Sequence, residues 1–396
     1  MALRPTALAS PVKAPSVGAP SSALQRDVGL DALRATMTLL VLFHHTAITY
    51  GAAGGWFYHE VAPGTAPGTK LLSFFCGINQ AYFMGLFFLL AGYFTPSSYA
   101  RHGAWTYAKE RMLRLGVPWL FFGFVLGPAT MALAQTAKGE PFLESLAKLW
   151  SAGTFANGPL WFAEALLIFS FAFLAWKGLA SRLITKPLAA PSPAFPSNLV
   201  IGLSALITGA AAFALRLVWP VGTQAWGLQL GYFASYIVLF AAGCLAASGH
   251  RLRDLPQGQT RGWLIVSLLT LPVLPLVVAI TAHVPALQGK GVGGWNIAAA
   301  VYAFWEPFVA WGLIMALVRT FQRRFTKLSP TWKALTRRAY TIYIIHPPVL
   351  VAIALLWRDV PATPLIKFVV TGIATCLACF SIAGLLLRSP ALSRIL

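Results

Sequence analysis

The feature that most constrains this chain is a series of apolar segments, each long enough to cross a lipid bilayer. A membrane-spanning helix needs about 20 mainly apolar residues, and about ten segments of the sequence meet this requirement. We place them at approximately 30–50, 71–94, 113–134, 158–177, 199–217, 228–248, 263–283, 297–318, 338–357 and 365–387. The sequence therefore predicts an all-α, polytopic membrane protein, with residues 29–396 forming one ten-helix membrane domain.

The distribution of charge supports a membrane protein rather than a nucleic-acid-binding one. Only 10% of the 396 residues are charged, against about 25% in soluble domains. The net charge of +20 is concentrated on one side of the predicted membrane. Six of the 30 Lys and Arg residues fall in the five predicted outer loops: Lys70, Lys138, Lys148, Arg216, Lys290 and Arg358. Lys367 lies at the outer rim of the membrane. This positive-inside pattern predicts that both termini are cytoplasmic, and it makes membrane lipid, not nucleic acid, the expected partner.

The first 28 residues differ in composition from the rest of the chain. They are rich in Ala, Pro and Ser and have no continuous apolar core, which predicts a disordered cytoplasmic tail. The four cysteines all fall within predicted spans, without the spacing of zinc ligands to a histidine. We therefore expect no bound metal.

The first predicted span carries ionisable residues on one face. Arg34 and His45 are eleven residues apart, which is about three turns plus 20°, and Asp31 lies on the same side. An ionisable residue inside a membrane span costs about 2.5–3.5 kcal/mol and usually faces a polar interior. This helix is therefore expected to carry a site.

Two carboxylates are predicted at comparable depths on other helices. Glu164 lies about six residues from the outer end of the fourth span, and Glu306 about nine residues into the eighth. Either carboxylate could orient His45 as a general base. The alternative is that these polar groups only form hydrogen bonds that hold the helices together.

The ninth span contains a histidine beside two prolines. His346 is near mid-membrane, directly before Pro347 and Pro348. Because proline lacks a backbone N–H, the carbonyls one turn earlier, near Tyr343 and Ile344, are expected to lack their helical donors. His346 could therefore support the chemistry, or it could form a contact to a carbonyl that only locks the helix.

A second charged cluster precedes the third span. Arg111 and Arg114 are neighbours on one helical face, and two guanidinium groups one turn apart can bind a phosphate or carboxylate. The alternative is that they only anchor the helix at the inner membrane surface.

Taken together, these segments resemble the acyltransferase type 3 family of bacterial integral-membrane O-acyltransferases over residues 27–387. Four places carry the resemblance: Arg34 with ten residues before His45, FFLLAGYF at 87–94, Arg111-x-x-Arg114 followed by Pro118, and YTIYIIHPP at 340–348. In the second, Ala91 replaces the family's usual serine. GYF, ERMLRLGVP and IYIIHPP look most like the branch that succinylates periplasmic glucans.

The resemblance implies transfer of an acyl group, acetyl or succinyl, from cytoplasmic acyl-CoA to a hydroxyl of a cell-envelope carbohydrate on the outer side. The enzyme would lie in the bacterial inner membrane, with acyl-CoA as a co-substrate and no bound cofactor. His45, Glu164 and Glu306 would be catalytic, and Arg34, Arg111 and Arg114 would bind the donor. Asp31, Tyr343 and His346 would support the site. Outer-edge aromatic residues would stack on sugar rings or belong to the membrane-interface belt: Trp56, Tyr58, Trp161 and Trp295.

The alternative class of function is a proton-coupled exporter of a small metabolite or glycan precursor. In that case His45, Glu164 and Glu306 would relay protons across the membrane. The absence of a recognisable inverted repeat in the sequence argues against this alternative.

Overall fold

A computed structural model describes residues 27–64, 66–183, 194–249, 251–284 and 290–396. The predicted tail therefore lies outside the described residues except for its last two positions. The first helix begins at Val28, and Asp27 caps it by accepting a hydrogen bond from the Leu30 N–H at 3.1 Å. A side-chain acceptor at this position satisfies one of the free N–H groups of a helix N-terminus.

The described residues form helices and no β-strand. The α-helices are α1 (Val28–Thr49), α2 (Pro67–Arg111), α3 (Val117–Phe121), α4 (Gly127–Gln135), α5 (Phe142–Ser151), α6 (Trp161–Leu183), α7 (Asn198–Val218), α8 (Phe233–Ala247), α9 (Gln257–Thr270), α10 (Val273–Ala282), α11 (Ile297–Arg324), α12 (Pro330–Leu356), α13 (Pro364–Leu386) and α14 (Pro390–Ile395). Two π-helical turns, Met112–Gly116 and Phe122–Leu126, flank α3.

Eight helical segments of the described chain are long and apolar enough to cross a membrane. One of them, Pro67–Lys138, is 72 residues long and contains two predicted spans. Gly103 separates these spans, because its φ of 73° is not helical. Helix α1 is not among the eight, since its charged residues and paired histidines make it less apolar. The chain is an all-α, polytopic membrane protein, as predicted.

Burial distinguishes central helices from peripheral ones. Of the 18 most apolar consecutive residues in Gln257–Thr281, only 6% are buried within the protein, whereas 61% are buried in the corresponding stretch of Pro330–Leu356. Large apolar side chains such as Leu269 and Leu276 are therefore exposed, as expected for a surface that faces lipid. Helix α12 instead lies in the interior, where its polar residues can contact other helices.

Helices α2 and α8 approach each other closely through two glycines. A Cβ atom at Gly92 would lie 2.1 Å from the Phe240 carbonyl oxygen, and one at Gly243 would lie 2.1 Å from the Leu89 carbonyl oxygen. Small residues permit such backbone contact, which stabilises helix pairs in membranes. This contact holds α2 in the centre of the protein.

We predict that Gly92→Ala destabilises the protein by about 1–3 kcal/mol, because the added methyl group overpacks the contact. Gly77→Ala in the same helix is the control, since a Cβ there meets nothing within 4 Å. Thermal unfolding in detergent should show a lower melting temperature for Gly92→Ala only. Equal melting temperatures for the two variants would contradict this packing.

Candidate functional site

A cavity of about 1790 Å³ lies at the end of the bundle where α1 ends and α6 begins. His45 and Glu164 both line it, so two of the three predicted catalytic residues share one space. Much of the wall is aromatic. It includes Trp56, Tyr58, Trp119, Trp161, Tyr232, Tyr236 and Tyr343. Such a wall suits a ligand with both apolar faces and hydroxyl groups.

His45 contacts another histidine rather than a carboxylate. Its Nδ1 lies 3.0 Å from Nε2 of His346, and Nδ1 of His346 lies 2.7 Å from the Tyr343 carbonyl oxygen. The His346 side chain is completely buried, whereas His45 is partly exposed and borders the cavity. A chain of three polar groups therefore leads from the interior of α12 to the cavity wall.

The prolines of α12 explain why the carbonyl is available. In a regular helix the Tyr343 carbonyl would accept a hydrogen bond from the N–H of residue 347. Pro347 has no N–H, and its ring also crowds the carbonyl four residues earlier. The freed carbonyl that the sequence predicted near Tyr343 is thus satisfied by His346.

The direction of these hydrogen bonds determines the tautomer of each ring. A carbonyl only accepts, so His346 must donate from Nδ1. Neither ring has an ion-pair partner among the described residues, and an unpaired buried charge is costly, so we treat both rings as neutral. The Nε2 atom of His346 is then an acceptor, and His45 must donate from Nδ1. The Nε2 atom of His45 consequently keeps its lone pair.

Trp56 covers the ring of His45. The two rings are almost parallel, with an interplanar angle of 10° and centroids 4.0 Å apart. Trp56 also lines the cavity, and its Nε1 is buried without a hydrogen-bond partner among the described residues. The indole therefore restricts the orientation of His45 and places an unused donor beside it.

The segment that carries Trp56 is anchored to α13 and to the end of α1. Glu60 forms an ion pair with Lys367, which is 5% exposed and also donates to the Arg358 carbonyl at 2.7 Å. The Glu60 N–H donates to the Thr49 carbonyl at 2.9 Å. These contacts hold Trp56 over His45. In the same segment, burial lowers the pKa of His59 from 6.5, which favours its neutral form at the cavity mouth.

Glu164 is held in a different part of the same cavity. The Asn157 amide donates to its carboxylate, and the Trp119 Nε1 donates to the Asn157 Oδ1 at 2.8 Å. The main-chain N–H of Ala156, next to Asn157, donates at 2.9 Å to the carbonyl oxygen of Gly123, which lies in the second π-helical turn. Glu164 thus does not hydrogen-bond His45, and the prediction that it orients this ring is wrong in that respect.

Glu306 is also not a partner of His45, because it is paired with Arg216. The ion pair is buried, with side-chain exposures of 3% for Glu306 and 0% for Arg216. The Arg216 guanidinium also lies over the rings of Tyr232 and Tyr302, at 5.3 and 4.7 Å from their centroids. The sequence predicts Arg216 in an outer loop, whereas it lies in the last turn of α7. Glu306 instead stabilises the wall that these tyrosines form.

The predicted donor-binding arginines do not border this cavity. Arg34 is 45% exposed, pairs with Asp31 and lies 5.2 Å from the centroid of Phe94. Its separation from His45 is eleven residues, or about 16 Å along α1. The predicted shared face of α1 therefore carries two distinct positions, one near each end of the helix.

Arg111 and Arg114 lie at the first π-helical turn. Arg111 stacks on Tyr107 at 4.9 Å, and the Arg114 side chain is exposed. A π-helical turn disturbs the regular hydrogen bonding of a helix, and here the Tyr340 hydroxyl donates to the Arg114 carbonyl at 2.6 Å. Since Tyr340 belongs to α12, this helix contacts both the arginine segment and His45.

The sequence does not predict the pairings within the site. His346 is named from the sequence as a supporting residue but not as the partner of His45, and the pairings of Asn157 with Glu164 and of Arg216 with Glu306 are not predicted. Of the predicted outer aromatic residues, Trp56, Tyr58 and Trp161 line the cavity, but Trp295 does not and is 84% exposed. The described residues contain no group of three or more His, Cys, Asp or Glu placed to hold a metal ion.

A comparison with protein families agrees with this architecture. A family model described as an acyltransferase domain, of acyltransferase type 3, matches residues 27–384. The chain belongs to the acyltransferase type 3 family. The match begins at Asp27, which caps α1, and ends within α13. This acyltransferase type 3 protein is therefore a multi-pass membrane acyltransferase.

The predicted membership of the acyltransferase type 3 family is confirmed, and the glucan-succinylating branch stays a prediction. Neither the curated proteins nor the solved structures that were searched gave a match.

We predict that Glu306→Ala destabilises this acyltransferase type 3 protein by about 3–5 kcal/mol, because it leaves Arg216 buried without a counter-charge. Glu144→Ala is the control, since Glu144 is exposed at the start of α5. The measurement is thermal unfolding of the purified protein in detergent. A Glu306→Ala variant that unfolds at the wild-type temperature would contradict the structural role of the pair.

Proposed function

We propose that this protein is a membrane O-acyltransferase that moves an acetyl or succinyl group from acyl-CoA to a hydroxyl of a cell-envelope carbohydrate, with His45 as general base. The observation that carries the proposal is the contact chain from Tyr343 through His346 to His45. It orients an unprotonated Nε2 at the wall of a large cavity, as a general base requires.

The acceptor is proposed to bind in the aromatic cavity. Sugar rings have apolar faces that stack on aromatic side chains, and hydroxyl groups that need polar partners. Trp56 and Trp161 supply aromatic surface, while Gln80 and Glu164 supply polar groups in the same wall. Glu164 is therefore proposed to bind an acceptor hydroxyl, and not to orient His45.

The donor is proposed to reach His45 from the end of the bundle that holds the arginines. Arg111 and Arg114 are suited to the phosphate groups of CoA, because guanidinium groups bind phosphate through paired hydrogen bonds. Arg34 lies on the same helix as His45 but about 16 Å away along its axis. A long, flexible thioester arm suits a site in which the anionic end and the reacting carbonyl are this far apart.

In the proposed step, the acceptor oxygen attacks the thioester carbonyl carbon while its proton passes to Nε2 of His45. The C–S bond then breaks, and the thiolate leaves with the bonding electrons. The thiolate takes the proton from His45, which restores the neutral ring. The net result is an ester and a free thiol, and no oxidant or reductant is needed.

The bacterial inner membrane is the proposed location, since acyl-CoA is cytoplasmic and the acceptor is on the outer side. Similarity to the glucan-succinylating branch makes succinyl-CoA a donor to test beside acetyl-CoA. The exporter alternative has no comparable support. Glu306, one of its proposed proton carriers, is paired with Arg216 through one carboxylate oxygen and is 3% exposed.

We predict that His45→Gln lowers the rate of acyl transfer by about 10²–10⁴-fold, the usual contribution of a general base. Release of free CoA from acetyl-CoA or succinyl-CoA, with a glucose oligosaccharide as acceptor, measures this rate. His102→Gln is the control, since His102 lies outside the cavity. Wild-type activity in His45→Gln would refute the proposed base.

We predict that Arg114→Ala raises the apparent KM for the acyl-CoA by about 10- to 100-fold, as expected for the loss of a charge-assisted hydrogen bond. Arg114→Lys should recover only part of the affinity, because lysine lacks the planar guanidinium geometry. Arg324→Ala, which removes an equal charge at an exposed position of α11, is the control. An unchanged KM in Arg114→Ala would exclude a role for Arg114 in donor binding.

A further inference from the structure

Two adjacent prolines in α12 have different consequences for the site. Pro347 removes the N–H that would serve the Tyr343 carbonyl, and Pro348 removes the one that would serve the Ile344 carbonyl. Of these two carbonyls, the Tyr343 carbonyl is the one that accepts a hydrogen bond from a histidine of the described chain, through Nδ1 of His346 at 2.7 Å. The two prolines therefore offer a natural comparison.

The Tyr343 carbonyl requires a donor because it lies in a buried part of α12. Tyr343 is 8% exposed and both His346 and Pro347 are buried. A buried carbonyl without a hydrogen bond is strongly disfavoured. With no backbone N–H at position 347, the His346 ring is the donor that satisfies it. The proline thus makes one tautomer of His346 much more favourable than the other.

The same tautomer determines what His45 presents to the cavity. If the residue at position 347 had an N–H, the carbonyl would be satisfied by the helix itself. His346 could then place its proton on Nε2, and this N–H would donate to Nδ1 of His45. In that arrangement the proton of His45 lies on Nε2, the atom that must accept the proton of the acceptor hydroxyl.

We propose that Pro347 is a positioning residue for acyl transfer. It acts by leaving the Tyr343 carbonyl without a helical N–H donor, so that the His346 ring donates to this carbonyl. The inference rests on the proposed role of His45 as general base. Pro347 contacts neither donor nor acceptor in this account. It acts through two imidazole rings, so its effect is on the rate of the chemical step and not on binding.

The test is a comparison of Pro347→Ala with Pro348→Ala, with CoA release from acetyl-CoA or succinyl-CoA and a glucose oligosaccharide as the assay. Pro347→Ala should lower kcat about threefold to tenfold, which corresponds to the contribution of one neutral hydrogen bond. The KM values for donor and acceptor should stay unchanged. Pro348→Ala should keep kcat within twofold of the wild type. Neither variant should unfold at a lower temperature, because alanine is favourable inside a helix.

Several outcomes would overturn the inference. A wild-type kcat in Pro347→Ala would show that the proline does not control His45. An equal loss in both variants would assign the effect to the loss of proline from α12 in general and not to the Tyr343 carbonyl. If His45→Gln is inactive while Pro347→Ala is fully active, only the role of Pro347 fails. If the wild type releases no CoA from either donor, the proposed function itself fails.

Discussion

The site depends on one missing backbone N–H inside α12. Pro347 leaves the Tyr343 carbonyl without a helical donor, and the His346 ring takes its place. This contact makes Nε2 of His346 the acceptor from His45, and so determines that the proton of His45 lies on Nδ1 and not on Nε2. A local property of proline is thereby converted into the protonation pattern of a partly exposed histidine on another helix.

The surrounding helices hold these side chains in position. Tyr340 and Tyr343 connect α12 to the arginine segment and to Pro159, just before α6, through hydrogen bonds to main-chain carbonyls. Trp56 closes over His45 from the segment that Lys367 anchors to α13. The arginine segment and the cavity are therefore joined by one buried helix. This arrangement is suitable for an enzyme that binds a donor at one end and an acceptor at the other.

The sequence predicted the helices and several site residues, because both follow from local rules. Apolar length located the membrane segments, and the missing N–H of proline predicted the free carbonyl near Tyr343. The partner of His45 could not be predicted in this way, since His346 is 301 residues away. Counting residues gives the depth of a side chain in the membrane and its direction relative to others on the same helix, but not which neighbouring helix it faces. Glu306 was misjudged for this reason, and its counter-charge, Arg216, was assigned to a loop.

The tautomer of His45 is the most direct test of this account. Solid-state NMR of the ¹⁵N-histidine-labelled protein in liposomes distinguishes protonated from unprotonated ring nitrogens, and the difference spectrum against His45→Gln identifies this residue. The account predicts a neutral His45 with its proton on Nδ1 and a lone pair on Nε2. A proton on Nε2, in either a neutral or a doubly protonated ring, would contradict it.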